Sequence, residues 1–372
     1  MTHIQRRDKL SARLAAANID AMLVSDLNNV RYLSGFTGSN AALLVFADDR
    51  PAVLATDGRY RTQAARQAPD IQTVIERACG PHLAGHAVAA GARRLGFEAH
   101  VVTVDAFDVL QRAFDQGAAP GAELVRASGT VETLREVKDA GEVALLRLAC
   151  EAADAALADL VERGGLRPDR SEKEVRNDLE ALMLEHGADG VSFETIVAAG
   201  ANSAIPHHRP TDAVLQTGDF VKIDFGALVG GYHSDMTRTF VLGPPADWQR
   251  EVYDLVATAQ RAGREALAPG VALSGVDAAS RQVIVDAGYG ETFSHGLGHG
   301  VGLQIHEAPG INATAAGTLL AGSAVTVEPG VYLPGRGGVR IEDTLVVNVG
   351  WDRTGTSTPE LLTRFPKELQ IL

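Results

Sequence analysis

Four acidic residues interrupt apolar, strand-like runs in the second half of this 372-residue chain. They are Asp224 in VKIDFG, Asp235 in YHSDMTRTF, Glu328 in AVTVEPG and Glu342 in VRIEDT. A carboxylate in an apolar run either faces water or needs a partner, because burying an isolated charge is costly. The same half carries HGLGHGVGLQIHEAP (295–309), which sets His295, His299 and His306 among glycines. Four carboxylates and one imidazole suffice for two divalent cations with bridging carboxylates. Such an oxygen-rich set suits Mn2+, Co2+, Fe2+ or Zn2+ better than copper. Paired ions of this kind polarise a carbonyl and acidify a water, which is hydrolytic chemistry. His295 and His299 are four apart, but the Gly-Leu-Gly between them disfavours the helix of an HExxH site. The glycines instead let backbone approach a crowded site. One histidine is enough, and the other two are left for substrate or for orienting ligands; spacing alone does not choose among them.

These residues need elements to hold them. In the second half, residues 130–161 recur in apolar positions at three- and four-residue steps, which predicts a long amphipathic helix capped by Thr133 or Asp139. Further helices are predicted over 171–190, 250–270 and 276–290, each closed by a glycine. Between them, residues 193–200, 219–243, 323–335 and 339–348 read as strands. The pattern is α+β: helices packed on an antiparallel sheet. In the first third, a helix over 5–18 precedes strand-like runs at 21–27, 41–49 and 51–57, and 93–102 reads as a strand-pair region. That is an α/β unit without a GxGxxG turn, so no dinucleotide site is expected. The change of texture puts a domain boundary near residue 132, giving domains 1–131 and 132–372.

The remaining chemistry is bounded by composition. The chain is 45% hydrophobic and 22% charged, with a formal net charge of −13. An acidic chain with no basic tract is a poor ligand for nucleic acid or an anionic membrane. Two cysteines, Cys79 and Cys150, form no CxxC and no disulfide framework, in keeping with a reducing compartment. The charged start MTHIQRRDKL does not read as a signal peptide, and no apolar stretch approaches a membrane span. A cytoplasmic protein is the expectation.

In order, KIDFG, YHSDMTRTF, HGLGHGVGLQIHEAP, TVEPGVYLPG and GGVRIEDT resemble the pita-bread metallopeptidases. Within them the chain resembles the Xaa-Pro peptidases, proline dipeptidase (prolidase) and aminopeptidase P. NNVRYLSGFTGSNAALLV (28–45) and TDGRYRTQA (56–64) are similar to that group's creatinase-like N-terminal domain, so the likeness spans nearly the whole chain. The resemblance implies a pita-bread C-terminal domain and makes Asp224, Asp235, His299, Glu328 and Glu342 the metal ligands. Asp235 and Glu342 would bridge, and Mn2+ is the first choice of ion. It implies hydrolysis of the bond before proline. Glu328 would move the proton, His306 would steady the oxyanion, and His207 would stand near the leaving group. His295 and Phe193 would line the proline pocket, and Arg340 would lie behind the ligands and orient Glu342. His208 is the rival of His207. Arg336 is a weaker candidate for the substrate carboxylate. His233 is more naturally packed than catalytic, and Asp343 should face away from Glu342.

The resemblance also implies a homodimer and a proline-containing peptide as partner, with a dipeptide slightly favoured over the longer substrates of aminopeptidase P. Methionine aminopeptidase shares the ligands but usually lacks the N-terminal domain. Creatinase shares the layout but not the ligands. A non-catalytic binding protein on this fold is the remaining alternative, although such relatives typically lose ligands that this chain keeps.

Overall fold

Short aliphatic and β-branched runs pack well on a pleated surface, and such runs build the sheet of the first unit, Met1–Arg135. The computed structural model describes residues 1–347 and 358–372. Helix α1 (His3–Ala16) opens the unit, and Thr2 caps it in a reciprocal box with Gln5. Then follow β1 (Ala21–Val24), α2 (Leu27–Ser34), β2 (Ala41–Phe46), β3 (Val53–Thr56), α3 (Arg61–Gln67), β4 (Gln72–Ile75), α4 (Cys79–Ala89), β5 (Arg94–Phe97), α5 (Val104–Asp115), β6 (Glu123–Arg126) and the short α6 (Glu132–Arg135). The strands form one mixed six-stranded sheet, β4-β3-β2-β1-β5-β6. Its core joins Leu23, Leu44 and Phe97 to Leu83 of α4 and Phe114 of α5. The region 93–102, read as a strand pair, contributes only β5; residues beyond Phe97 turn toward α5.

The second unit, Glu136–Leu372, is α+β. Its elements are α7 (Ala140–Glu162), α8 (Glu172–Glu185), β7 (Gly190–Val191), β8 (Ile196–Ala199), β9 (Phe220–Phe225), β10 (Ala227–Val229), β11 (Tyr232–His233), β12 (Met236–Val241), α9 (Asp247–Glu265), α10 (Leu273–Asp286), β13 (Gly298–Gly300), β14 (Glu307–Ile311), β15 (Ala324–Val327), β16 (Gly330–Leu333), β17 (Gly337–Arg340), β18 (Asp343–Val346) and β19 (Glu360–Leu361). Asp139, not Thr133, caps α7, in a box with Glu142. The stripe Leu146, Ala149, Ala153, Ala156, Leu157 and Leu160 is buried, as its spacing predicts. Each such leucine contributes roughly 1.5–3 kcal/mol by leaving water. Ser171 and Glu174 box the start of α8.

Pairing within this unit is antiparallel among the described strands of its sheets, β12-β9-β8, β11-β10-β7, β14-β13-β15-β18-β19 and β16-β17. One core cluster sets α7 and α8 against β8, β9 and β12; another sets α9 and α10 against β15, β16, β17 and β18. Two long runs that read as single strands are each broken. AVTVEPGVYLPG divides into β15 and β16, and VRIEDT divides into β17 and β18; in both cases the halves belong to different sheets. The run at 193–200 is strand only over β8, and α9 stops at Glu265, before Gly270. Both cysteines are buried and free. No helix among the described residues is long and apolar enough to cross a membrane.

Candidate metal centre

Strand β9, FVKIDF, is buried along its whole length, the alternating Lys222 and Asp224 included. It pairs with β12 so that Asp224 stands opposite Thr237. Asp235 lies one residue before β12, and its carbonyl accepts from the Thr344 hydroxyl at 2.8 Å. The hairpin therefore brings two acids, eleven residues apart in sequence, to the same end of the sheet.

His299 sits in the middle of β13, between β14 and β15. Its flanking glycines are a packing requirement. A Cβ on Gly298 would lie 2.1 Å from the Thr326 carbonyl oxygen, and one on Gly300 would lie 2.1 Å from that of Ala308. The ring is oriented by its Nδ1, which lies 3.0 Å from the Gly300 carbonyl and so carries the proton. Nε2 is left with its lone pair and stands 3.5 Å from both Asp235 Oδ2 and Glu328 Oε1.

The two glutamates occupy the two strand breaks. Glu328 follows β15, and its N–H donates to the Leu297 carbonyl at 2.8 Å, beside the His299 segment. Glu342 lies between β17 and β18. Its N–H donates to the Thr237 carbonyl at 3.1 Å, and its Oε2 accepts from the Thr237 hydroxyl at 2.7 Å. A break lets the chain turn an acid inward while the strands on either side stay paired in their own sheets.

Asp224, Asp235, His299, Glu328 and Glu342 all line one cavity of about 360 Å³, together with Phe193, Glu194, Ile196, His207, His208, Arg209, Ile305 and His306. Ligand-capable atoms of Asp235, His299 and Glu342 lie within 4.8 Å of one another. Burial, then the charges of Glu342, Asp224 and Glu328, drives the Asp235 carboxyl well above its ordinary range. Burial followed by Glu328 and Asp224 does the same to Glu342, and burial pushes Glu328 up to about 8. Burial holds His299 down to about 4, so its imidazole is neutral at pH 7. The buried Asp224 Oδ1 has no hydrogen-bond partner. These are acids short of positive charge, and Arg340 alone among the described residues gives the Asp224 carboxylate a guanidinium partner. A divalent cation supplies what the set lacks, and four carboxylates with a neutral imidazole have the chemistry to hold one.

The other predicted residues divide. His207, His306 and Phe193 line the cavity. His208 lines it too, but its Nε2 is engaged at 2.8 Å with Glu172 Oε2, which leaves His207 the more available of the two. The His306 ring meets His299 edge-on at 4.4 Å between centroids. His295 and Arg340 do not line the cavity. His295 Nε2 lies 2.8 Å from the Tyr332 hydroxyl, which accepts from Arg340 Nη1 at 2.8 Å. Arg340 is not bonded to Glu342 as expected. It binds the Asp224 carboxylate and donates from Nε to Thr237 Oγ1 at 3.0 Å, reaching Glu342 only through that threonine. Arg336 lies over the Trp248 ring at 4.2 Å, away from the cavity. His233 is packed, with Nδ1 3.0 Å from Ser192 Oγ. Asp343 turns away from the cavity, as adjacency to Glu342 implied. It is held by Arg238 at 2.9 Å, Lys367 at 3.0 Å and Gln260 at 2.8 Å.

Thr237, Tyr332 and Glu172 support the site without a sequence signal of their own. Glu172 is fully buried and accepts from Ala199 N, Asn202 Nδ2 and Thr211 N, besides facing His208, so it fixes the loop that carries both cavity histidines. Its residue type at the start of a helix looks like ordinary dipole compensation.

The description of metallopeptidase family M24 matches residues 144–348, and that of the creatinase/prolidase N-terminal domain matches residues 6–137. The uncharacterized peptidase YqhT of Bacillus subtilis is 38% identical over 98% of this chain and 99% of its own. The solved Xaa-Pro dipeptidase from Bacillus anthracis is 39% identical with a TM-score of 0.92, covering 100% of both chains. An X-Pro aminopeptidase structure from Thermotoga maritima is 32% identical with a TM-score of 0.86, covering 98% of this chain and 99% of its own. With the acids, the imidazole and the two-unit architecture in place, the chain belongs to metallopeptidase family M24, with a creatinase/prolidase-type N-terminal domain.

Proposed function

We propose that this peptidase is a dinuclear-metal-dependent Xaa-Pro peptidase that cleaves the bond before proline and takes dipeptides as substrates. The observation that carries the reading is the convergence of four acids and His299 on one cavity at the small end of the usual ligand-site range, roughly 300–1,000 Å³. The likeness to an Xaa-Pro dipeptidase along the full chain supports it. Asp224, Asp235, His299, Glu328 and Glu342 would hold two divalent ions, with Mn2+ favoured by so oxygen-rich a set. The chemistry supplied by such ions is Lewis acidity toward the scissile carbonyl and acidification of a water.

Glu328, half-buried on the cavity wall, takes a proton from the attacking water and returns it to the prolyl nitrogen, which has no hydrogen of its own in the peptide bond. His306 is open to the cavity and held neutral by burial first and His207 second, so a ring N–H is available to the developing oxyanion. His207 stands beside it for the leaving nitrogen. Phe193 offers an apolar wall to the pyrrolidine ring. His295 and Arg340 act from behind, through Tyr332 and Thr237, to fix Asp224 and Glu342.

The test is turnover of Ala-Pro, Ala-Pro-Ala and Ala-Ala by chelator-stripped protein and after restoring Mn2+, Co2+ or Zn2+. Ala-Pro should be cleaved only with metal, Ala-Ala not at all, and Asp235→Asn should be inactive. Preference for Ala-Pro-Ala would move the reading to aminopeptidase P. Robust turnover by Asp235→Asn would remove its basis.

A further inference from the structure

A second cavity, of about 340 Å³, shares no lining residue with the metal centre among the described residues. Ile341 lines it while the adjacent Glu342 lines the metal cavity, so the two cavities flank the same strand break. Its cations come from two elements. Arg261 and Arg264 stand three apart on α9 and so share a helix face, and Lys367 reaches in from the C-terminal segment.

These cations exceed what the fold uses. The fully buried Asp343 carries one negative charge, which Arg238 meets at 2.9 Å and Lys367 meets again at 3.0 Å. Arg264 is surplus to that pair. Its Nε stops 4.0 Å from Asp343 Oδ2, too far for a hydrogen bond, and is buried with no partner. A guanidinium cannot shed its proton to escape such a position, and a buried donor without an acceptor is costly. Arg261 makes no hydrogen bond or ion pair with a described residue. Asp254 and Glu368 also line the cavity, but both are exposed residues and their carboxylates pair with none of the three cations. Water and salt screen them, whereas the Arg264 and Lys367 side chains are only 26% and 23% exposed.

We propose that this cavity binds a phosphate dianion, either inorganic phosphate or the head of a small phosphate monoester. Two guanidinium groups and an ammonium match a doubly charged group of several oxygens, with acceptors for the orphaned Arg264 Nε and for the unused N–H groups of Arg261 and Lys367. A carboxylate offers one charge and two oxygens, and leaves part of the set unmatched. The site is independent of the proline reading, because no residue of the metal cavity takes part in it.

The experiment titrates metal-loaded wild type, Arg261→Gln, Arg264→Gln and Arg264→Lys with inorganic phosphate and, separately, with methyl phosphate, followed by calorimetry. Wild type should bind, and each glutamine variant should bind about tenfold more weakly or worse, the scale of a lost charged hydrogen bond. Arg264→Lys should recover part of the affinity. Arg261 is exposed and unpaired, so Arg261→Gln should melt as wild type does without phosphate, and its loss of binding cannot be laid to misfolding. Tighter binding of inorganic phosphate identifies the free ion as the ligand, and equal or tighter binding of methyl phosphate identifies a monoester. Crystals soaked in tungstate should show density between Arg261, Arg264 and Lys367. Phosphate held by the metal ions would bind all four proteins alike, and that result overturns the proposal, as does the absence of binding to wild type at millimolar phosphate.

Discussion

The Thr237 hydroxyl donates to Glu342 Oε2 at 2.7 Å while accepting from Arg340 Nε at 3.0 Å. One threonine thus couples β12, which begins just after Asp235, to the break that carries Glu342. Groups behind metal ligands typically set affinity by 10- to 100-fold, so Thr237→Val should weaken metal binding by roughly that factor. The valine keeps the shape and β-branch, so the fold should survive. Calorimetric titration with Mn2+ measures the change, and an affinity equal to wild type would refute the coupling.

Arg340 is buried against Asp224, and removing one partner of a buried ion pair costs about 3–5 kcal/mol. Arg340→Met should therefore lower the melting temperature of the second unit by on the order of 10 °C. It should also cost activity, because Asp224, Thr237 and Tyr332 lose a common partner. Thermal unfolding followed by circular dichroism reports the first effect. A shift under a degree or two would mean that Asp224 finds its partner elsewhere.

Metal stabilisation should grow with pH. Glu328 is pushed from an ordinary 4.5 up to about 8, and Asp235 and Glu342 move in the same direction. A raised carboxyl holds its proton in the folded state after the unfolded chain has released it. Its contribution is full below about 4.5 and is lost as pH rises toward 8. Binding of cations displaces those protons, so the gain from metal is larger where fewer must be displaced. His299, held at about 4, is already neutral across this range and adds nothing to the trend. The difference in melting temperature between Mn2+-loaded and chelator-treated protein should widen from pH 6.5 to pH 8. A difference that narrows would contradict the shared-charge picture.

Gly300→Ala should injure the site without touching any of the five residues proposed to hold metal. The added Cβ would fall 2.1 Å from the Ala308 carbonyl oxygen, so β13 or β14 must move. Overpacking of this kind costs about 1–3 kcal/mol, and the displaced segment carries His299. Reduced metal stoichiometry with modest loss of stability is the expected pair of results, read by metal analysis and thermal melts. Full occupancy at wild-type stability would show that the glycine is dispensable.

The sequence by itself determined the helices, the antiparallel character of the second half and the identity of the acids that gather. The reason is physical: helical spacing, as in Leu146 to Leu160, and short runs of apolar and β-branched residues, as in AVTV before Glu328, encode local structure. A carboxylate in such a run also declares a cost that must be met. Only the tertiary structure decided where each acid points. Glu328 and Glu342 read as residues within continuous strands, yet they stand at breaks between sheets, because breaking a strand is a matter of long-range pairing and leaves little local trace. The Arg340–Thr237–Glu342 chain spans 105 positions, and the Glu172–His208 contact spans 36. No periodicity links residues so far apart. Their meeting follows from how the sheets and helices bury their apolar faces, and the polar groups are then satisfied by whatever that packing brings within reach.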